Sequence, residues 1–135
     1  MRTYADIEYI VLHCTATRLD AKVPDILRYW RDTKGWGETP GYNVLIEQDG
    51  TIWRLRDWLI PTFGVKGFNQ KSVHICTVGG LATDDRTEAQ KARILEMLTE
   101  AKQLMPQARI VGHNDLNPQK ACPRYDAKIY NALWQ

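Results

Sequence analysis

Short apolar runs alternate with amphipathic stretches along this chain. Ile7 to Leu12 (IEYIVL) is dense in β-branched and aromatic side chains, which predicts a largely buried strand with His13 at its end. After the polar TATRLD, Val23 to Lys34 sets Ile26, Leu27, Tyr29 and Trp30 near one face at helical spacing. Pro24 suits a first turn and Gly35 supplies the stop. Tyr42 to Glu47 and Thr51 to Leu55 flank Gln48-Asp49-Gly50, and Asp-Gly between two β-prone runs predicts an antiparallel hairpin. Ser72 to Val78 predicts a further strand, closed by Gly79-Gly80, where the backbone can turn sharply or approach a neighbour closely. Thr87 to Leu104 is the clearest helix, with a stripe of Ala89, Ala92, Leu95, Met97 or Leu98, Ala101 and Leu104 and Pro106 beyond its end. Arg109 to Val111 predicts a short strand leading to Gly112-His113, and Asp126 to Trp134 a terminal helix. Interleaved strands and helices predict an α/β fold, a central mixed β-sheet flanked by helices. No repeat or linker divides residues 1–135, so a single domain is expected.

Composition changes this picture little. Of 135 residues, 44% are apolar and 25% charged, as in an average globular domain, and a chain of this size buries an adequate core without disulfides. The formal charge of +2 is too balanced for a dedicated nucleic-acid binder. No apolar run approaches the roughly 18 residues of a membrane span. In MRTYADIEYIVLHC, Asp6 and Glu8 interrupt the apolar stretch, so no export signal is expected, and the chain is read as cytoplasmic on synthesis. A monomer is expected. Cys14, Cys76 and Cys122 are odd in number and widely spaced, which argues against a disulfide framework and leaves metal or nucleophile roles open.

The chemistry turns on which histidines and cysteines sit where strands end, because clefts form at the rim of a sheet. His13 ends the first strand and His113 follows the last, whereas His74 and Cys76 lie within a strand, two apart on one face. Cys122 follows His113 across HNDLNPQKACP, a polar loop able to bring a thiolate back toward the imidazole. Two imidazoles and a thiolate suit Zn²⁺, with a fourth position open as catalytic zinc requires, and such an ion supports attack on an amide. Structural roles for the same histidines remain an alternative on spacing alone. Lys120 stands two residues before Cys122, and in an extended stretch both would face the same cleft, where an ammonium would favour the thiolate and a developing oxyanion. Tyr42, at the start of a strand after Pro40-Gly41, is a second candidate hydrogen-bond donor or a packing residue. A different chemistry would use Cys14 beside His13, or Cys76 beside His74, as a thiol nucleophile with its base.

IVLHCTAT at residues 10 to 17, GYNVLIEQDGTIWRLR at 41 to 56, VKGFNQKSVHICTVGG at 65 to 80 and VGHNDLNPQKACPRYD at 111 to 126 resemble, in order and spacing, the zinc N-acetylmuramoyl-L-alanine amidases. Among these the chain is most similar to the bacteriophage amidase-type lysozymes, which share the peptidoglycan-recognition-protein fold. The resemblance spans residues 7 to 133. It implies zinc held by His13, His113 and Cys122, with Tyr42 and Lys120 catalytic. It also implies hydrolysis of the bond between N-acetylmuramic acid and L-alanine in bacterial peptidoglycan or muropeptides, in an endolysin that reaches the wall after release. Rival readings are a non-enzymatic peptidoglycan-binding module of this fold and the Cys/His amidase. Two positions depart from the pattern. Asn43 and Gly64 stand where such chains commonly carry His, and both are expected to border the substrate groove, together with Trp36, Lys66 and Asn69.

Overall fold

In the computed structural model, which describes residues 1–135, strands β1 (Tyr9–Cys14), β2 (Val44–Ile46), β3 (Ile52–Arg54), β4 (Ser72–Thr77) and β5 (Arg109–Gly112) form one sheet in the order β3-β2-β4-β1-β5. β1 runs parallel to both β4 and β5, β2 runs parallel to β4, and only β3 is antiparallel to its neighbour. This is the expected mixed sheet. The hairpin closes at Gln48-Asp49-Gly50, where Glu47 N–H donates to Thr51 O.

Side chains alternate across the pleat, so one face of the sheet carries Ile10, Leu12, Val44, Ile46, Val73, Ile75 and Ile110. Helix α2 (Glu88–Leu104) covers that face with Ile94, Met97, Leu98 and Ala101. The predicted stripe is therefore rotated: Leu95 and Leu104 face solvent, and Gln90 is fully buried. Gln90 tolerates burial because its amide donates to Ile46 O at 3.2 Å and Val78 O at 2.9 Å, capping strand ends. Thr87 caps α2, accepting from Gln90 N while the Gln90 side chain accepts from Thr87 N.

The opposite face carries Val11, His13, Leu45, His74, Cys76 and Val111. Helix α1 (Val23–Arg28) continues as one wide π turn over Tyr29–Thr33, a widening that periodicity did not predict, and buries Val23, Ile26 and Trp30 against Leu45 and Cys76. The expected terminal helix is a 3₁₀ segment, Ala127–Trp134, held over the sheet edge by Asn131, which accepts from Ile110 N and donates to Ile110 O. That pairing gives Ile110, on the open edge of β5, the two partners a neighbouring strand would give. Gly79 and Gly80 adopt φ of 125° and 76°, and a Cβ on Gly80 would lie 2.6 Å from Cys14 Sγ, so the sharp turn and the close approach are both realised.

The amino terminus is pinned by a buried guanidinium. Arg2 donates to the carbonyls of Trp58, Leu59, Asn69 and Ser72 at 2.6 to 3.1 Å. Main-chain dipoles thus take the place of a counter-ion. Their target is the loop that precedes β4.

Candidate metal centre

Parallel strands end together, so β1, β4 and β5 deliver their last residues to one rim of the sheet. His13 is the penultimate residue of β1. His113 begins the single turn α3 (His113–Leu116) directly after β5, where Asp115 Oδ2 accepts from Gly112 N at 2.7 Å. Cys122 is returned to the same rim by two backbone ties: Asn114 N donates to Cys122 O at 2.9 Å, and Cys14 N donates to Cys122 Sγ at 3.0 Å. The ligand atoms of His13, His113 and Cys122 all lie within 4.8 Å of one another, with Cys122 Sγ 3.9 Å from His13 Nδ1.

Electrostatics suit these groups to ligation. His13 is 1% exposed, and burial, then His74 and His113, hold its pKa well below the usual imidazole range. Burial and the nearby Lys120 ammonium lower that of His113. Both rings are therefore neutral near pH 7, with a lone pair to donate. The Cys14 side chain and burial raise the pKa of Cys122, the Cys14 N–H directed at its Sγ works the other way, and the thiol would give up its proton on binding an ion. A tetrahedral zinc with bonds of about 2.0–2.3 Å has ligand–ligand edges of roughly 3.3–3.7 Å, so this N, N, S set fits the ion after a small contraction.

Tyr42 lies against this group, its ring centroid 4.7 Å from that of His13. Burial, then the thiols of Cys76 and Cys122, push its pKa well up, so the phenol stays protonated and can donate. Lys120 is exposed and reaches close enough to act electrostatically on His113. The route differs from the extended stretch expected: Lys120 N donates to Asn117 O and Arg124 N to Ala121 O, so the loop is folded by consecutive turns. A cavity of about 550 Å³ opens beside Tyr42, lined also by Thr15, Thr17, Ile26, Tyr29 and Trp30.

Trp36, Asn43, Gly64, Lys66 and Asn69, like His13, His113, Cys122 and Lys120 themselves, lie outside the lining of that cavity. Trp36 packs between Trp30 and Phe63, and Lys66 is exposed on its loop. Asn43 is fully buried because its amide is used in the fold: it donates to Asp57 O and Ile60 O and accepts from His74 N. Gly64 lies against the His74 imidazole, and Asn69 accepts from that ring. His74 lies mid-strand, where strand-end placement does not single it out. Its signal in the sequence is an imidazole inside the mostly apolar SVHICTV, which a buried strand tolerates only with partners. The rival nucleophiles lack access: Cys76 is 0% exposed among Val23, Trp30 and Leu45, where burial raises its pKa, and Cys14 is also buried.

Residues 3–125 match the family model described as N-acetylmuramoyl-L-alanine amidase. The chain is 36% identical over 126 residues to the endolysin of Klebsiella phage KP32, covering 88% of this chain and 82% of that protein. It is 32% identical over 127 residues to the endolysin of Escherichia phage T7, again covering 88% and 82%. Among solved structures, the Ph2119 endolysin from Thermus scotoductus MAT2119 bacteriophage Ph2119 superposes with a TM-score of 0.79 at 27% identity, covering 95% of this chain and 84% of that one.

Proposed function

Since this chain belongs to the N-acetylmuramoyl-L-alanine amidase family and is a peptidoglycan amidase, we propose that it is a zinc-dependent endolysin of a phage or prophage, acting on the wall after release from the cytoplasm. The bond cut joins the lactyl carbonyl of N-acetylmuramic acid to the L-alanine of the stem peptide. The observation that carries this reading is the convergence of His13, His113 and Cys122 next to Tyr42, whose other side lines an open cavity, with two neutral imidazoles and a sulfur as donors.

Zinc, when bound to these three residues, supplies Lewis acidity and makes water acidic enough to furnish hydroxide near pH 7. The chain's own groups do the rest. Water would add across the amide: its oxygen stays on the lactyl carbon as a carboxylate, the C–N bond breaks, and the alanyl nitrogen leaves with the water's two protons as an ammonium. The Tyr42 phenol donates a hydrogen bond to the carbonyl oxygen as negative charge develops on it. Lys120 contributes an exposed ammonium, near enough to act on His113, that stabilises the same charge. The stem peptide occupies the cavity lined by Thr15, Thr17, Ile26 and Trp30.

Mass spectrometry of purified wall fragments digested with and without a chelator tests the reading. New lactyl carboxylates and alanyl amino termini are expected in equal number, and only without chelator. Cleavage at a glycosidic or peptide–peptide bond, or unchanged amide cleavage under chelation, would contradict it.

A further inference from the structure

Behind the ligand set lies a line of hydrogen bonds whose direction follows from its end at Asn69. The Val65 N–H donates to Asn69 Oδ1 at 2.8 Å, which fixes the orientation of that amide and leaves its oxygen as an acceptor. The same oxygen lies 3.1 Å from His74 Nε2, so His74 carries its proton on Nε2 and donates. His74 is fully buried and no carboxylate pairs with it, so Nδ1 is left as a bare lone pair. It lies 2.9 Å from His13 Nε2, which must therefore be the protonated nitrogen of His13. One nitrogen remains unprotonated: His13 Nδ1, the atom that faces Cys122 Sγ at 3.9 Å.

We propose that His74 is a positioning residue for the metal centre, accepting the Nε2–H of His13 through its own Nδ1 and so presenting the His13 Nδ1 lone pair to zinc. This rests on the zinc reading above and extends it to a residue outside the ligand set. An imidazole free to choose its tautomer spends part of its time with a proton where the metal should bind. His74, polarised in turn by Asn69, removes that choice. A partner of this kind also fixes the ring plane and raises the basicity of the ligating nitrogen.

Two further features show that the site is built for this ring. A Cβ on Gly64 would overlap the His74 ring, Nδ1 included, so the absence of a side chain at residue 64 is what admits the imidazole. The far end of the line is held by the fold: Arg2 donates to Asn69 O and Ser72 O, both at 2.8 Å, and Asn43 Oδ1 accepts from His74 N. The imidazole is thus clamped from its backbone, from its ring nitrogens and from the loop it packs under.

The test measures zinc affinity by chelator competition alongside the wild type and Cys122→Ser. His74→Phe keeps an aromatic ring without an acceptor, and affinity should fall about 10- to 100-fold. His74→Asn places its Oδ1 near the position of the lost Nδ1, and it should keep most of the affinity. Equal affinity in wild type and His74→Phe, or equal loss in both variants, would overturn the assignment. Independently of any variant, long-range ¹⁵N–¹H correlation on the zinc-loaded wild type should show protonated Nε2 and bare Nδ1 on both His13 and His74. A proton on His74 Nδ1 would overturn it. Zinc binding unaffected by Cys122→Ser would instead remove the metal site on which the inference stands.

Discussion

Three of the side chains at the candidate centre reveal themselves by where they stand in the chain. His13 and His113 end or follow strands, and Cys122 lies in a polar loop that can fold back, so strand-end placement with the chemistry of the residue types brought them together. Lys120 was legible as a charge near the cleft, but not its path, because turns rather than extended backbone carry it there. His74 was not legible. Its meaning depends on Asn69, Gly64 and His13, which the sequence separates and only strand register reunites. At this scale the sharpest prediction concerns Lys120. Lys120→Ala should retain zinc and fold normally while kcat/KM on wall fragments drops about 10²- to 10³-fold, as for loss of an oxyanion donor. Steady-state kinetics with metal analysis of the same samples checks this, and wild-type turnover would contradict the assigned role.

Among the elements, local pattern served best where one force dominates. Apolar β-branched runs gave β1 and β4, and Asp-Gly gave the hairpin, because strand burial and turn chemistry act over a few residues. The helices were located but less well described. The apolar stripe of α2 was displaced because Gln90 is buried, satisfied by strand-end carbonyls that no linear pattern announces. The 3₁₀ form of Ala127–Trp134 accompanies a tertiary demand, the pairing of Asn131 with the edge of β5. Asn131→Leu leaves the Ile110 N–H and C=O without those partners. It should destabilise the protein by about 1–3 kcal/mol. Urea denaturation read by tryptophan fluorescence measures this, and an unchanged midpoint would show that the edge pairing contributes nothing.

For the whole molecule, the sheet sorts its two faces into different tasks. One is covered by α2 and is apolar apart from Thr77 and the strand-capping Gln90; the other gives part of its area to α1 and its rim to histidines and thiols. Burying neutral imidazoles makes stability depend on pH. Both His13 and His74 have folded pKa values below the unfolded value of 6.5, that of His74 lowered to about 3 by burial and by Arg2. The unfolded chain therefore binds more protons below pH 6.5. Their contribution is fully present above that pH and is lost progressively as pH falls toward the folded values. Two such groups predict a loss of roughly 2–4 kcal/mol in the metal-free protein between pH 7.5 and pH 5, before carboxylates begin to titrate. Urea midpoints that coincide at those two pH values would contradict it.

That a single ion held by His13, His113 and Cys122 is what makes this fold an amidase is tested most directly by titrating metal-stripped protein with zinc while counting alanyl amino termini released from purified wall. Activity should rise linearly and saturate at one zinc per chain, and Cys122→Ser should stay inactive at that ratio. Full activity in the stripped protein, or restoration that survives loss of the Cys122 sulfur, would contradict the account.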